Sequence, residues 1–90
     1  MKYTKGNVEI IREKGKIEII CKKCNKPILS RTMKSFDNKR PGLFAKCEHY
    51  KVYVIGKIPE QLQAYYDESR SAEAIYIEKF LVFIIVPRKL

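Results

Sequence analysis

Alternation of apolar and polar residues with a period of two predicts β-strands in the first two thirds of the chain. In "VEIIREKGKIEII", two β-branched runs at 8–12 and 16–20 flank "EKGK", where Gly15 can adopt a positive φ, so the segment is predicted to be a hairpin. "PILSRTM" is predicted to continue as a strand. "KSFDNKRPG" is predicted to be a loop because it contains turn residues, and "LFAKCEHYKVYVIG" is strand-like on both sides of Cys47.

The last third of the chain has a different pattern. "PEQLQAYYDES" begins with Pro59, and Leu62, Tyr65 and Tyr66 follow at helical spacing, which predicts one short helix. "AEAIYIEKFLVFIIVP" is long enough to begin as a helix, but its β-branched and aromatic residues favour a buried strand that Pro87 ends. We expect a closing strand that pairs with the N-terminal hairpin.

The length of 90 residues and the apolar content of 46% favour a single domain, 1–90, rather than a disordered tail. The longest apolar run, 80–86, is far shorter than the ~20 residues that span a bilayer. The N-terminus also lacks the apolar segment of a signal peptide. We therefore expect a soluble, cytoplasmic protein with reduced thiols and no membrane partner.

The formal net charge of +9 is unevenly distributed. Residues 1–58 contain fifteen Lys/Arg and five Asp/Glu, whereas residues 59–90 contain four and five. A local basic excess favours nucleic acid as a partner. The alternative is a thermophile-like surface rich in lysine, glutamate and isoleucine, on which the charge serves solubility alone.

All three cysteines and the only histidine lie in one stretch, as Cys21-x2-Cys24 and Cys47-x-His49. Three thiols leave one unpaired in any disulfide scheme, whereas three thiols and one imidazole complete the tetrahedral ligand set that zinc prefers. A CxxC turn directs two sulfurs to one ion, and residues i and i+2 of a strand share a face. The spacing predicts a closed, structural Zn²⁺ site with these four ligands, with iron as the alternative metal.

Three other interpretations compete with a structural metal site. The first is an exposed His49 beside buried thiols. The second is a redox CxxC, which normally precedes a helix, whereas Asn25-Lys26-Pro27 does not begin one convincingly. The third is a catalytic zinc, which keeps a ligand position open, whereas this chain offers four ligands. With the histidine committed to metal, no nucleophile–base pair remains, and we predict no enzymatic activity.

The knuckle "CKKCNK", the basic loop, and the second knuckle "CEHY" leading into "KVYVI" resemble a zinc ribbon over about residues 16–56. Asn25 stands where a glycine is often found, and the second knuckle is Cys-x-His rather than Cys-x2-Cys. The resemblance implies an information-processing role, since zinc ribbons occur in transcription factors, polymerase subunits, ribosomal proteins and tRNA-related enzymes. The acidic pair of transcript-cleavage ribbons is not matched, because Asp37-Asn38 stands in the loop.

Together these elements predict an α+β fold: a small antiparallel sheet with a zinc-ribbon knuckle pair and one short helix. The ribbon covers 16–56, and the helix and the apolar closing strand cover 59–87. The strand at 80–86 must be covered on both faces. It is predicted either to be the central strand of the protein's own sheet or to dock a homodimer partner or a larger protein assembly.

Basic residues surround the predicted metal site, and metal binding would give a mobile basic finger a rigid base. Phe36 has no evident apolar neighbour in the loop and is a candidate for stacking on an unpaired base, although it could also fold back onto the ribbon. The candidate nucleic-acid contacts are Lys22, Lys23, Lys26, Arg31, Lys34, Phe36, Lys39 and Arg40. We predict non-catalytic binding of RNA or single-stranded segments with low sequence specificity. The alternative is a zinc-stabilised accessory subunit or homodimer that docks through the apolar C-terminal strand.

Overall fold

Two four-stranded antiparallel sheets make up most of the computed structural model, which describes residues 1–88. The first sheet has the order β1-β2-β3-β4 and the second the order β5-β6-β8-β7. The strands are β1 (Lys2–Lys5), β2 (Val8–Glu13), β3 (Lys16–Cys21), β4 (Lys26–Thr32), β5 (Gly42–Phe44), β6 (Tyr50–Gly56), β7 (Ala74–Glu78) and β8 (Leu81–Pro87). The helices are α1 (Pro59–Ala64) and α2 (Tyr66–Arg70), and Met33–Ser35 form a 3-10 turn.

The first sheet is a meander whose centre is the predicted hairpin. Strands β2 and β3 pair from Val8 opposite Cys21 to Glu13 opposite Lys16, and the turn residues Lys14 and Gly15 have φ values of 20° and 76°. The prediction from "EKGK" is therefore confirmed. The predicted continuation of "PILSRTM" as a strand is also confirmed, since β4 pairs with β3 along its length.

The closing strand does not pair with the N-terminal hairpin, so that prediction is wrong. Instead β8 is an inner strand of the second sheet, with β6 on one side and β7 on the other. The segment expected to be one strand is a hairpin, in which Glu78 lies opposite Leu81 across a turn formed by Lys79 and Phe80. Lys79 has a φ of 54°, a conformation that glycine or asparagine usually signals in a sequence.

The main core lies between the two sheets. Inward-facing residues of the first sheet meet inward-facing residues of the second, and the largest fully buried side chains include Ile10, Ile17, Ile19, Ile28, Tyr50, Phe83 and Ile85. A second cluster lies on the outer face of the second sheet and packs against Tyr65 and Ala72. Its members are Ile55, Val82, Ile84 and Val86. Strand β8 contributes to both clusters, which confirms that the apolar run is a central strand of the protein's own sheet.

The helical segment differs from its prediction. Pro59 does begin a helix, but the chain breaks at Tyr65 (φ −109°, ψ 22°) into α1 and α2. Of the predicted apolar stripe, Tyr65 packs onto Tyr53, whereas Leu62 and Tyr66 are 39% and 59% exposed.

Small antiparallel sheets with short helices agree with the predicted α+β class, although the strands form two sheets rather than one. Within residues 1–88, no helix has the length and apolar character needed to cross a membrane.

Candidate metal centre

The first two candidate ligands are positioned by the end of β3 and the turn that follows it. Cys21 is the last residue of β3, and the backbone N–H of Asn25 donates to the Cys21 carbonyl at 2.8 Å, closing the turn around Cys24. Asn25 has a φ of 55°, the left-handed conformation that asparagine tolerates. The residue that stands in place of glycine therefore adopts the backbone that glycine would supply.

The other two ligands precede β6 rather than lying within it. Cys47 and His49 were expected on a strand, but they lie in a bend, and β6 begins at Tyr50. The guanidinium of Arg88 donates to the carbonyl of Cys47 at 2.9 Å, and its backbone N–H donates to the carbonyl of His49 at 2.8 Å. The chain just after β8 thus holds the second knuckle in place. A lone arginine following Pro87 carries no sequence signal for this role.

The four candidate ligands converge on one point. Their ligand atoms all lie within 4.8 Å of one another. Nδ1 of His49 is 2.9 Å from Sγ of Cys24, 3.7 Å from Sγ of Cys47 and 3.8 Å from Sγ of Cys21. The Sγ atoms of Cys24 and Cys47 are 3.4 Å apart. The ring nitrogen that faces the thiols is Nδ1.

The distances between the four ligand atoms suit the tetrahedral coordination of one metal ion. With Zn–S bonds of about 2.3 Å and Zn–N bonds of about 2.0 Å, a tetrahedron places sulfurs about 3.8 Å apart and sulfur and nitrogen about 3.5 Å apart. Two of the three nitrogen–sulfur distances are close to that value, and the Cys24–His49 contact must widen by about 0.6 Å to reach it. The four residues could therefore hold a metal ion with a small adjustment around Cys24.

The thiols of Cys24 and Cys47 have pKa values that are shifted in opposite directions. The hydrogen bond with Cys47, together with burial, raises the pKa of Cys24 to about 11. Burial opposes ionisation of Cys47, but the backbone N–H of His49, which lies 3.2 Å from its sulfur, and the Cys24 thiol outweigh that effect and lower the Cys47 pKa to about 7. A divalent cation at this point would favour the thiolate forms and balance their negative charge.

The predicted basic contacts near the knuckles and in the loop are spread over several segments. All of the predicted lysines and arginines are exposed. Lys22 and Lys23 lie in the turn between the first two ligands, Lys26 and Arg31 lie on β4, and Lys34 lies in the 3-10 turn. Lys39 and Arg40 precede β5.

Part of this basic set is brought together between the edge strands β4 and β5. Lys26, at the start of β4, shares a groove with Lys46 beside Cys24 and Cys47. Arg31, near the end of β4, shares a second groove with Arg40, and its guanidinium lies 4.9 Å from the centre of the Phe44 ring. We call this surface, lined by Lys26, Arg31, Arg40 and Lys46, the basic seam. Lys46 was missed from sequence, although its position next to a ligand could have indicated it.

Phe36 is half-buried and folds back onto the protein, where it lines the groove that Arg31 and Arg40 share. Its ring packs edge-on against Phe83 at 5.3 Å and Phe44 at 6.1 Å between centroids, and it is partly buried against the main core. The expectation that Phe36 lacks apolar neighbours is therefore wrong. Phe44 lies on β5, directly after the loop, whereas Phe83 lies on β8, which is distant from the loop in sequence.

The basic loop is also fixed at its tip, contrary to the expected mobile finger. The side chain of Gln61 is only 9% exposed, and its amide donates to the carbonyls of Asn38 and Lys39, both at 3.2 Å. Its carbonyl oxygen accepts from the backbone N–H of Gly56 at 2.6 Å. Gln61 was not singled out from sequence, because a glutamine in a polar helix carries no sign of burial.

Comparisons with protein-family models, with curated proteins and with solved structures gave no match to this chain. The interpretation of the site therefore depends on its own geometry and charge.

Proposed function

We propose that this protein is a non-catalytic, zinc-stabilised nucleic-acid-binding protein that uses the basic seam to contact the phosphates of RNA or of single-stranded segments. The observation that carries the proposal is the placement of the four basic residues of the seam. Two of them lie on the edge strand β4 and two lie on either side of β5, and they line two grooves, one of which borders the metal centre.

The length of the seam suits several phosphates. From Lys26 to Arg31, a strand rises by at most roughly 17 Å at about 3.3 Å per residue, since the register between β3 and β4 shifts within this span. The seam is therefore long enough to contact more than one phosphate of a single strand. Contacts of this kind go to the sugar-phosphate backbone and carry little sequence information, which favours low specificity.

Two grooves lie along the seam, with volumes of ≈ 340 Å³ and ≈ 180 Å³. The larger one falls within the range of about 300–1,000 Å³ of small-molecule pockets, so it has room for a nucleotide group beside Lys26 and Lys46. One acidic residue borders each groove, Glu48 and Asp37, and the Asp37 carboxylate already accepts from the backbone N–H of Lys39 at 2.8 Å.

Zinc supports this surface indirectly. The proposed Cys₃His site would fix the turn that carries Lys22 and Lys23 against the bend that carries Lys46, and thereby set the spacing of charges at one end of the seam. A closed set of four protein ligands leaves no position for a water nucleophile, which favours a structural role for the metal.

The test is a fluorescence titration of the zinc-loaded protein against labelled single-stranded RNA, single-stranded DNA and duplex DNA at two salt concentrations. We expect salt-sensitive binding that is strongest for the single strands. The plot of log affinity against log salt has a negative slope, to which each phosphate contact with a single strand contributes about −0.7. In the double variant Lys26→Gln/Arg40→Gln this slope should become less steep by roughly 1.4.

The matched control removes two charges elsewhere. Lys2 and Lys5 lie on β1, the opposite edge of the first sheet from β4, and both are exposed. In Lys2→Gln/Lys5→Gln the salt slope should stay unchanged. If the salt slope becomes less steep by the same amount in both double variants, binding depends on overall charge and the seam is not the site. Absence of binding at low salt would refute the proposed function itself.

A further inference from the structure

The sulfur atoms of Cys24 and Cys47 lie next to each other in the metal centre. Their Sγ atoms are 3.4 Å apart, although Cys24 belongs to the turn after β3 and Cys47 to the bend before β6. The sulfurs of a disulfide bond are about 2.05 Å apart, so these two would have to approach by about 1.4 Å to form one. Neither residue belongs to a strand, and the approach therefore breaks no strand pairing.

A groove connects these two sulfurs with solvent. It has a volume of ≈ 340 Å³ and is lined by both cysteines and by the residues close to them in sequence, Lys26, Pro27, Lys46 and Glu48. Cys21 does not line this groove, and it is 0% exposed within the main core. A small oxidant can thus reach Cys24 and Cys47, whereas Cys21 is shielded from it.

The surroundings of this pair are those of reactive cysteines. Reactive cysteines lie in partly exposed, electropositive places, whereas cysteines that are buried among apolar side chains are inert. Cys24 is only partly buried, and two lysines line the groove against one carboxylate, that of Glu48. The structure therefore separates two accessible thiols from one inert thiol within a single cluster.

We propose that Cys24 and Cys47 form a site of reversible oxidation by hydroperoxides, in which the two thiols become one disulfide bond. With hydrogen peroxide, one sulfur attacks a peroxide oxygen: an S–O bond forms, the O–O bond breaks, and one water leaves a sulfenic acid behind. The other sulfur then attacks the sulfenic sulfur, the S–O bond breaks, and a second water leaves. The pair loses two electrons and two protons, and these reduce the peroxide to water.

This pair differs from the CxxC pair, because Cys21 takes no part in it. The disulfide would use two of the four candidate ligands and leave only Cys21 and His49, which are too few for a closed metal site. Oxidation would therefore release a zinc ion held by the four residues, and reduction of the disulfide would restore the site. The release of metal rests on the proposed zinc site, whereas the disulfide itself does not.

The test treats the full-length, zinc-loaded protein with increasing hydrogen peroxide, blocks the remaining thiols with N-ethylmaleimide and maps the tryptic peptides without reduction. Trypsin separates the three cysteines into the peptides 17–22, 24–31 and 47–51, so each possible disulfide gives a different product. We expect one linked product, 24–31 with 47–51, while Cys21 carries the maleimide. A chromogenic chelator should detect one zinc ion released for each disulfide, and dithiothreitol should reverse both changes.

Two controls accompany this test. The metal-free wild-type protein should form the same disulfide, because the two sulfurs face each other without a metal. In Cys24→Ser no disulfide should form within the chain, because Cys21 is out of reach of the oxidant. A disulfide between Cys21 and Cys47 in this variant would show that burial does not protect Cys21, and would contradict the assignment of the pair.

Several results for the wild-type protein would overturn the proposal. These are a disulfide between Cys21 and Cys24, disulfides only between chains, oxidation that dithiothreitol does not reverse, or unmodified thiols at peroxide concentrations that oxidise free cysteine. If the disulfide forms in a protein that binds no zinc, the proposed metal site fails and the oxidation site stands. The mapping does not involve oligonucleotides, so its result is also separate from the test of nucleic-acid binding.

Discussion

The carbonyl oxygen of Asn38 occupies the space that a Cβ atom on residue 56 would need. Gly56 ends β6, and its backbone N–H donates to Gln61, whose amide in turn donates to the carbonyls of Asn38 and Lys39. The loop that carries Lys39 and Arg40 is therefore fixed to the second sheet by a backbone contact that only glycine permits. Its position does not depend on the metal centre alone.

We predict that Gly56→Ala destabilises the protein, because a methyl group would push the loop backbone away and break the Gln61 contacts. Overpacking at such a site costs about 1–3 kcal/mol of unfolding free energy. The control is Gly42→Ala, at the residue where the loop ends and β5 begins. A Cβ at this position would meet only the Phe44 side chain, at 3.3 Å. Urea denaturation should show a clearly larger loss of unfolding free energy for Gly56→Ala than for Gly42→Ala. Equal losses would contradict the explanation that the Asn38 carbonyl leaves no room for a side chain at residue 56.

For the metal centre, we predict one zinc ion per chain in the wild-type protein and none in Cys24→Ser. Cys24 is the best position for this test because it is only partly buried, whereas Cys21 and Cys47 are 0% and 6% exposed and also fill the core. Zinc that binds only the native state stabilises it by about 2.7 kcal/mol at a free concentration of 100 times Kd. Metal analysis and thermal unfolding would measure both effects.

A chelator provides the control for this variant. EDTA should lower the melting temperature of the wild-type protein to about that of Cys24→Ser and should leave the variant unchanged, because the same stabilisation is removed in each case. A variant that retains one zinc ion and full stability would exclude the four-ligand site.

Glu78 is predicted to make stability depend on pH in the acid range. The bidentate hydrogen bonds from Arg12, at 2.8 Å and 2.7 Å, connect the two sheets and hold the Glu78 pKa below its ordinary value of 4.5. A lowered folded-state pKa contributes stability above pH 4.5, and this contribution is lost as the pH falls through the lowered value. Glu78→Gln should therefore be less stable than wild type at pH 7, and the difference should shrink below pH 4.5.

The matched control for Glu78 is Glu9→Gln. The Glu9 side chain is 18% exposed, like that of Glu78, but its partner Lys2 is 66% exposed and 3.6 Å away, so this ion pair should contribute little to stability. Urea denaturation of the three proteins at pH 7 and at pH 3–4 would measure the differences. A constant difference between wild type and Glu78→Gln at both pH values would show that Glu78 acts through packing and not through its charge.

Local signals in the sequence predicted part of this fold well. The turn at Gly15, the strand after the first knuckle and the helix start at Pro59 each depend on residues that are near one another in the chain. The grouping of Cys21, Cys24, Cys47 and His49 was also predictable, because these are the only thiols and the only imidazole in the sequence. Their spacing alone indicated that they would meet.

Strand order was not predictable in the same way. Strand β8 is apolar on both faces, and its sequence fits a place beside the N-terminal hairpin as well as its actual place between β6 and β7. The turn at Lys79 and Phe80 lacks glycine, proline and asparagine, so the sequence predicts one strand where the structure has a hairpin. Such contacts depend on three-dimensional packing, which overrides local propensity.

The Phe36 ring is half-buried, although its position in a polar loop predicts exposure. Because the ring packs against Phe83 and Phe44, Phe36→Ala should cost about 2 kcal/mol of unfolding free energy, less than the ~3–5 kcal/mol for a fully buried phenylalanine. Phe80→Ala is the control, because this ring is 70% exposed and its removal should cost little. Phe36 also lines the groove of Arg31 and Arg40, so the oligonucleotide affinity of Phe36→Ala, measured at a temperature where the variant stays folded, should fall much less than that of Lys26→Gln/Arg40→Gln. A large loss of affinity without a loss of stability would instead identify Phe36 as the stacking contact expected from the sequence.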